Sequence, residues 1–256
     1  MNGPDSKDEY YNRAKQEGYR ARSAYKLKQI DDEVNIFSPG DTVVDLGAAP
    51  GGWLQVASER VGNGDVLGVD LQYIDELDAE NVETLQGDIT EGETRAEIVE
   101  CVGEADVVVS DASPDLTGTW NVDQARSVHL SRQALETAKE ILRSGGNFVV
   151  KVFQGDMLAD FREEVEAEFE YVRAYTPDAS RDESSEIYLI GKGYLTAPVE
   201  EGDTLEVEIV DTGDEGDGIA RVEDYVLIVK GADEGENVEV RVNEVRTNFG
   251  FAEVVE

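Results

Sequence analysis

The sequence predicts an α/β protein: a doubly wound, mostly parallel seven-stranded sheet with an antiparallel edge pair, plus a small C-terminal β-barrel. Three observations carry this expectation. From residue 40 onward, apolar runs of strand length alternate with amphipathic helical runs, the pattern of a parallel sheet covered on both faces. The last two strand-like runs before residue 195 have no helix between them, so two strands must pair antiparallel. Beyond Thr196 the helical period is gone, and β-rich runs punctuated by glycine turns take over.

In order, TVVDLGAA is the first strand, ending in small residues, and GWLQVASERV the helix that follows. DVLGVDL and VETLQGDI are strands two and three, TRAEIVECV is a short helix, and ADVVVSDA is strand four. Residues 122–143 form a long amphipathic helix, NFVVKVF strand five, and MLADFREEVEAEF another helix. EYVRAYTP and SEIYLIGKGY are the pair without a crossover. LEVEIV, ARVEDYVLIV, NVEVRVNEV and FGFAEVV then build a closed or nearly closed barrel. The expected domains are 1–195 and 196–256, with the boundary at about 194–197.

At 256 residues and 40% apolar content, the chain can bury the core of one ordinary α/β domain and a small module. No stretch approaches the roughly 18–20 apolar residues of a membrane span, and MNGPDSKDEYY does not read as a signal peptide, so a cytoplasmic protein is expected. One cysteine, Cys101, excludes an internal disulfide and a cysteine-built metal site. The single histidine, His129, lies in the helical run VDQARSVHLSRQALETAKEIL and reads as helix surface or packing; no metal centre is expected. No heptad or exposed apolar stripe asks for a second copy, which points to a monomer.

The charge balance is 58 acidic against 22 basic residues, net −36. Read naively, this argues against a nucleic-acid partner. The acidic residues are spread through helices such as FREEVEAEFEY and turns such as DEGDGIA, which suits adaptation to a halophilic cytoplasm. Above about 1 M salt the Debye length is only about 3 Å, and repulsion reaches little beyond contact. The exception is the first thirty residues, where Lys7, Arg13, Lys15, Arg20, Arg22, Lys26 and Lys28 outnumber the acids for a local net of +3. Tyr10, Tyr11, Tyr19 and Tyr25 are interleaved with them. Arginine with tyrosine suits a phosphate-rich partner, which makes Arg13, Lys15, Arg20 and Arg22 RNA-facing candidates. A helix docked by its basic face on the protein's own acidic surface is the alternative.

DLGAAPGGW, residues 45–53, follows the first strand and opens a helix. Gly47, Gly51 and Gly52 let a ligand approach the backbone, but the spacing is neither that of a dinucleotide fingerprint nor of a P-loop. Asp70 ends strand two, where a carboxylate can accept from both ribose hydroxyls. Asp88, after strand three, can accept from an adenine amino group. These residues on three consecutive strand ends suggest an adenosine cofactor without a phosphate tail, and S-adenosylmethionine fits. Turn glycines and helix-capping aspartates are the alternative at each position alone. Lys151 stands between Val150 and Val152, where burying an ammonium is costly. Either strand five is an edge that lets it reach solvent, or it has partners: Asp111 ends strand four, Glu186 comes from the late strand pair, and Lys26 from the basic N-terminal helix.

RARSAYKL, DLGAAPGGW, SDASPD, VVKVF and SSEIY closely resemble the motifs of the FtsJ/RrmJ family of RNA 2′-O-ribose methyltransferases, over residues 10–193. The resemblance implies a Rossmann-like methyltransferase sheet, S-adenosylmethionine as cofactor, and a catalytic tetrad of Lys26, Asp111, Lys151 and Glu186. It assigns cofactor contacts to Gly51, Trp53, Asp70, Asp88 and Asp111. A ribose 2′-hydroxyl must lose its proton as it attacks the methyl group. An amine can take that proton only when its pKa falls from about 10.4 towards neutrality, which burial and a second cation promote and a carboxylate opposes. Lys151 is therefore the candidate base, with Lys26 and Glu186 orienting the hydroxyl and Asp111 holding Lys151. A lysine that only steers the oxygen lone pair leaves the same signature.

The compact size resembles the ribosomal branch of that family, implying as substrate a uridine ribose of large-subunit (23S) rRNA, within the large ribosomal subunit. Transfer RNA ribose methylation is the enzymatic alternative; a non-catalytic RNA-binding or ribosome-assembly factor is the alternative of another class. GDGIARV, VKGADEGENVEVRV and FAEVV resemble a TRAM domain, a small RNA-binding barrel. Its departure from that pattern is charge: residues 196–256 carry 18 acidic and 4 basic side chains, net −14. The basic candidates there are Arg221, Lys230, Arg241 and Arg246.

Overall fold

Alternation of apolar side chains along each central strand sorts the core into two layers, one on each face of a sheet. The computed structural model of the chain describes residues 6–181, 185–213, 216–222, 225–246 and 249–255. Two helices come first, α1 (Ser6–Glu17) and α2 (Ala24–Val34). Between them Gly18 takes a φ of +83°, a conformation side chains disfavour, so the single basic helix expected from the sequence is two. The alternating segment follows as β1 (Val43–Leu46), α3 (Gly52–Val61), β2 (Val66–Asp70), β3 (Val82–Gln86), α4 (Gly92–Val102), β4 (Ala105–Ser110), α5 (Trp120–Ile141), β5 (Leu142–Phe153), α6 (Leu158–Glu166), β6 (Phe169–Tyr175) and β7 (Glu186–Tyr194).

These strands form one seven-stranded sheet in the order β3-β2-β1-β4-β5-β7-β6. The first five are parallel; β7 runs antiparallel to both β5 and β6. The strand order reverses between β1 and β4, and a crevice beyond the carboxyl ends of the strands opens at such a switch point. Val43, Val107, Val109 and Val149 pack with Leu27, Ile30, Leu54 and Ala57 on the α2–α3 side. Their neighbours Val44, Val108, Phe148 and Val150 pack with Val128, Leu135, Ile141 and Phe161 on the α5–α6 side. Because successive residues point to opposite faces, this alternation directs Lys151 to the α2–α3 side, the same as Val149. It also answers the question Lys151 raised: β5 lies between β4 and β7, and the residue is only 5% exposed. The edge-strand reading fails.

The C-terminal strands β8 (Thr204–Thr212), β9 (Gly218–Val222), β10 (Tyr225–Lys230), β11 (Asn237–Val245) and β12 (Phe249–Val254) form a closed barrel, order β10-β12-β11-β8-β9. Val207, Ile209, Ala220, Leu227, Val229, Val240, Val242 and Ala252 fill it. ARVEDYVLIV, expected as one run, is two antiparallel strands in which Tyr225 pairs with Val222. The two compact units of the chain divide between Tyr194 and Leu195. Among the described residues no helix is long and apolar enough to cross a membrane.

Candidate active site

Four charged side chains converge at the carboxyl end of β4 and β5. Ser110, the last residue of β4, pairs with Val150 of β5, so Asp111 and Lys151 emerge side by side. On the other flank of β5, Lys151 pairs with Tyr188 and Phe153 with Glu186. Lys26 arrives from the buried face of α2. The Lys151 ammonium lies 3.1 Å from Asp111 Oδ1 and donates to the Asp111 main-chain carbonyl at 2.6 Å. Lys26 Nζ donates to Glu186 Oε2 at 2.7 Å and lies 3.9 Å from Asp111 Oδ1. The charges thus alternate: Lys151, Asp111, Lys26, Glu186. The two lysine side chains are 4% and 6% exposed, a burial tolerable only with such compensation.

Tyr188, two residues beyond Glu186 on the same face of β7, donates its hydroxyl to Asp111 Oδ1 at 2.7 Å. Burial by itself lifts the Asp111 carboxyl, but the ammoniums of Lys151 and Lys26 and the Tyr188 hydrogen bond outweigh it and hold the group below its ordinary value. Burial, then the carboxylates of Asp111 and Glu186, push the Tyr188 phenol well above its ordinary value, so it remains a donor. Sequence reasoning did not assign Tyr188 or Asp45. The second sits on β1 with both carboxyl oxygens buried and without hydrogen-bond partners among the described residues. Burial, followed by repulsion from Asp111 and Asp70, raises its pKa well above the usual carboxyl range.

Two recesses flank the tetrad. The larger, about 1090 Å³, is lined by Gly47, Ala49, Asp70, Asp88, Ile89, Asp111 and residues of α5 that include His129, an exposed helix residue. The smaller, about 590 Å³, is lined by Lys26 and Glu186; Ser113 borders both. The larger recess fits an adenosine cofactor by its hydrogen-bond acceptors, carboxylates at the end of β2, after β3 and after β4, together with apolar lining such as Ile89 and Val122. Asp70 already accepts from Ala49 N at 2.9 Å and Gln72 N at 2.7 Å, which fixes its carboxylate at the mouth. Asp88 Oδ1 accepts from the amide and hydroxyl of Thr90, at 2.9 and 2.7 Å.

The glycines serve the chain itself. A Cβ on Gly47 falls 2.7 Å from the Cβ of Ala112. One on Gly51 meets Arg20, and one on Gly52 meets Ala21. Gly47 lines the larger recess; Gly51, Gly52 and Trp53 are not among its lining residues. Trp53 is buried, donates its indole N–H to the Ser23 carbonyl at 2.8 Å, and packs against Tyr188 with ring centroids 5.9 Å apart.

The N-terminal basic residues divide. Arg20 donates to the carbonyls of Pro50, Asp75 and Glu76 at 3.2, 2.6 and 2.5 Å, so its guanidinium is occupied within the fold. Arg13 pairs with Glu17 at 2.8 Å and stacks over Tyr25; Lys15 is exposed. Arg22 lines the smaller recess. Tyr19 and Tyr25 turn into the core instead of outward, and only Tyr11 is exposed at 57%. On the barrel Arg221, Lys230, Arg241 and Arg246 are all exposed, and Arg246 lies over the rings of Phe249 and Phe251.

A Rossmann-like sheet carrying a carboxylate-lined pocket at its switch point and a buried Lys-Asp-Lys-Glu cluster defines a methyltransferase fold. Residues 19–194 match the family model described as FtsJ-like methyltransferase, and the chain belongs to that family. Residues 198–255 match the TRAM domain. The chain is 62% identical over 249 residues to the Ribosomal RNA large subunit methyltransferase E of Halorubrum lacusprofundi, covering 96% of this chain and 93% of that one. It is 59% identical over 251 residues to the protein of the same name from Natronomonas pharaonis, covering 98% and 99%. The acid-rich composition fits these halophilic sources. Among solved structures, a ribosomal RNA methyltransferase of Plasmodium falciparum superposes with a TM-score of 0.62 at 26% identity, covering 69% of this chain and 98% of that one.

Proposed function

We propose that the protein methylates the 2′-hydroxyl of a uridine ribose in large-subunit ribosomal RNA, acting in the cytoplasm as a monomer on RNA within the large subunit. The observation that carries this reading is the alternating-charge tetrad between two recesses that share Ser113. One recess suits the methyl donor and the other the acceptor. Bound S-adenosylmethionine supplies an electrophilic methyl group, with Asp70, Asp88, Asp111 and the Gly47 backbone as its holders. Gly51, Gly52 and Trp53 support that site from behind.

Lys151, once its ammonium has released a proton to solvent, is as the neutral amine the base for the ribose hydroxyl proton. Asp111 fixes Lys151 through both its carboxylate and its main-chain carbonyl, which leaves a direction on the lysine nitrogen for the substrate. Lys26, anchored by Glu186, donates towards the attacking oxygen, and Tyr188 holds Asp111 in place. Fixing these groups before substrate arrives is itself a large part of the rate. Residues 1–195 form the catalytic domain, with 1–35 facing RNA, and 196–256 form an RNA-tethering barrel. The test offers unmodified 50S subunits, free large-subunit rRNA and a tRNA pool to the protein in multimolar KCl with labelled S-adenosylmethionine. One 2′-O-methyluridine in 50S subunits supports the reading; label confined to tRNA, or carried on a base, overturns it.

A further inference from the structure

The smaller recess has a charge opposite to that of the chain around it. Three cations line it, Arg22, Lys26 and Arg181, against the two carboxylates of Asp123 and Glu186, in a protein of net −36. Both carboxylates have work elsewhere. Glu186 receives Lys26 at 2.7 Å. Asp123 accepts from the amide and hydroxyl of Thr117, each at 2.7 Å, and from the amide of Gly118 at 3.0 Å. Arg22 and Arg181 have no salt-bridge partner among the described residues. Arg22 is half-buried; its contact with the protein is a long 3.5 Å hydrogen bond to the Ala179 carbonyl. Burial, then the neighbouring Arg181 guanidinium, lowers the pKa of Arg22 against the opposing pull of the Glu186 carboxylate. Two guanidiniums lining one recess present the paired N–H donors that a phosphate accepts from.

The lining also includes large apolar side chains that are exposed. Trp120, the first residue of α5, is 49% exposed, and Leu116 is 67% exposed. The segment joining them is pinned by the three hydrogen bonds to Asp123, so the indole stands on a fixed support. An aromatic face held at the rim of a cationic recess is a seat for a nucleobase. The Lys26–Glu186 pair lines the same recess and is more buried than Trp120, so a nucleotide whose base lies on the indole can bring its ribose towards the tetrad.

We propose that this recess seats the target nucleotide, its base stacked on Trp120 and a flanking phosphate between Arg22 and Arg181. The inference rests on the ribose-methylation reading. A base paired inside a helix cannot reach the indole, so the acceptor is a single-stranded or flipped-out nucleotide. Stacking engages the π-face that every base has. Trp120 therefore positions the ribose, while choice of base falls to other contacts.

Two readouts test it. Oligouridylate is titrated into wild type, Trp120→Phe and Trp120→Ala, and intrinsic tryptophan fluorescence is followed in KCl. Separately, methyl transfer to 50S subunits is measured as a function of RNA concentration, with cofactor affinity recorded for each variant. Quenching is expected in wild type and is lost in both variants. Trp120→Ala raises KM for RNA about tenfold, Trp120→Phe restores most of it, and cofactor affinity is unchanged. Arg181→Gln raises KM and flattens its salt dependence. If wild type methylates RNA and Trp120→Ala matches it in KM and kcat, the nucleotide seat is wrong while ribose methylation stands. If wild type transfers no methyl group to RNA, ribose methylation itself fails and the seat fails with it.

Discussion

Replacing Asp111 by asparagine keeps the shape of the side chain and an acceptor for the Tyr188 hydroxyl, but removes the charge between two buried ammoniums. Lys151 and Lys26 are then left with Glu186, which accepts from Lys26. Removing one partner of a buried ion pair costs about 3–5 kcal/mol. Asp111 is 18% exposed, towards the recess, so the lower end applies, about 3 kcal/mol. For a domain of this size that corresponds to a fall of roughly 6–12 °C in Tm. The carboxyl is held below its ordinary value in the folded state, so its contribution is present above the unfolded carboxyl pKa of about 3.9 and is lost as pH falls through the lower folded value. Thermal melts of wild type and Asp111→Asn at neutral pH and at progressively lower pH measure the difference; it should narrow towards the acidic end. Because the pair is buried, the neutral-pH difference should persist between 1 and 3 M KCl, taken as about 3 and 2 Å of screening length. A Tm difference below about 2 °C at neutral pH, with cofactor binding intact, would refute the claim that Asp111 compensates the two lysines.

Three further outcomes are expected. Lys151→Arg keeps a cation beside Asp111 but cannot act as a base, since a guanidinium does not give up its proton; methyl transfer should be as low as in Lys151→Ala, and near-normal transfer would favour a steering lysine. Gly47→Ala forces a side chain at φ +82° and a Cβ 2.7 Å from that of Ala112, displacing the backbone that carries Asp111; kcat/KM should fall by roughly 100-fold. Burial, then repulsion from Asp111 and Asp70, holds the folded-state pKa of Asp45 well above its unfolded value of about 3.9, so it costs stability as pH rises above that value. Asp45→Asn should raise Tm at pH 8 and leave it unchanged at pH 4; an equal shift at both would show that the carboxyl is not neutral when folded.

The sheet was legible because its signals are periodic. Helix α3 starts at Gly52, where GWLQVASERV predicted it, and the central strands β1, β2, β4 and β5 were visible apolar runs. The tetrad was legible because charged residues interrupting apolar strands, as Lys151 does, demand partners. Tyr188 was missed although its signal was present: on a strand, positions two apart share a face, so the residue two beyond Glu186 had to point the same way. Asp45 was hidden inside a motif read for its glycines. The N-terminal arginines and tyrosines misled because composition does not specify direction. Tyr19 and Tyr25 are core residues, and Arg20 is consumed by three carbonyls contributed from as far away as Glu76. Such long-range partners leave no local trace in the chain. Trp120 and Arg181 were unreadable for the same reason, since one opens a helix, the other follows β6, and only the fold brings them to one recess.

The most direct measurement is single-turnover methyl transfer from S-adenosylmethionine to large-subunit RNA by wild type and Lys151→Ala, with cofactor affinity and the position of the label determined for both. The expected result is one ribose-methylated uridine, transfer slowed on the order of 10²–10⁴-fold in the variant, and cofactor affinity unchanged. Transfer at the wild-type rate by Lys151→Ala would contradict the assignment of the proton to this lysine, and with it the tetrad as the source of catalysis.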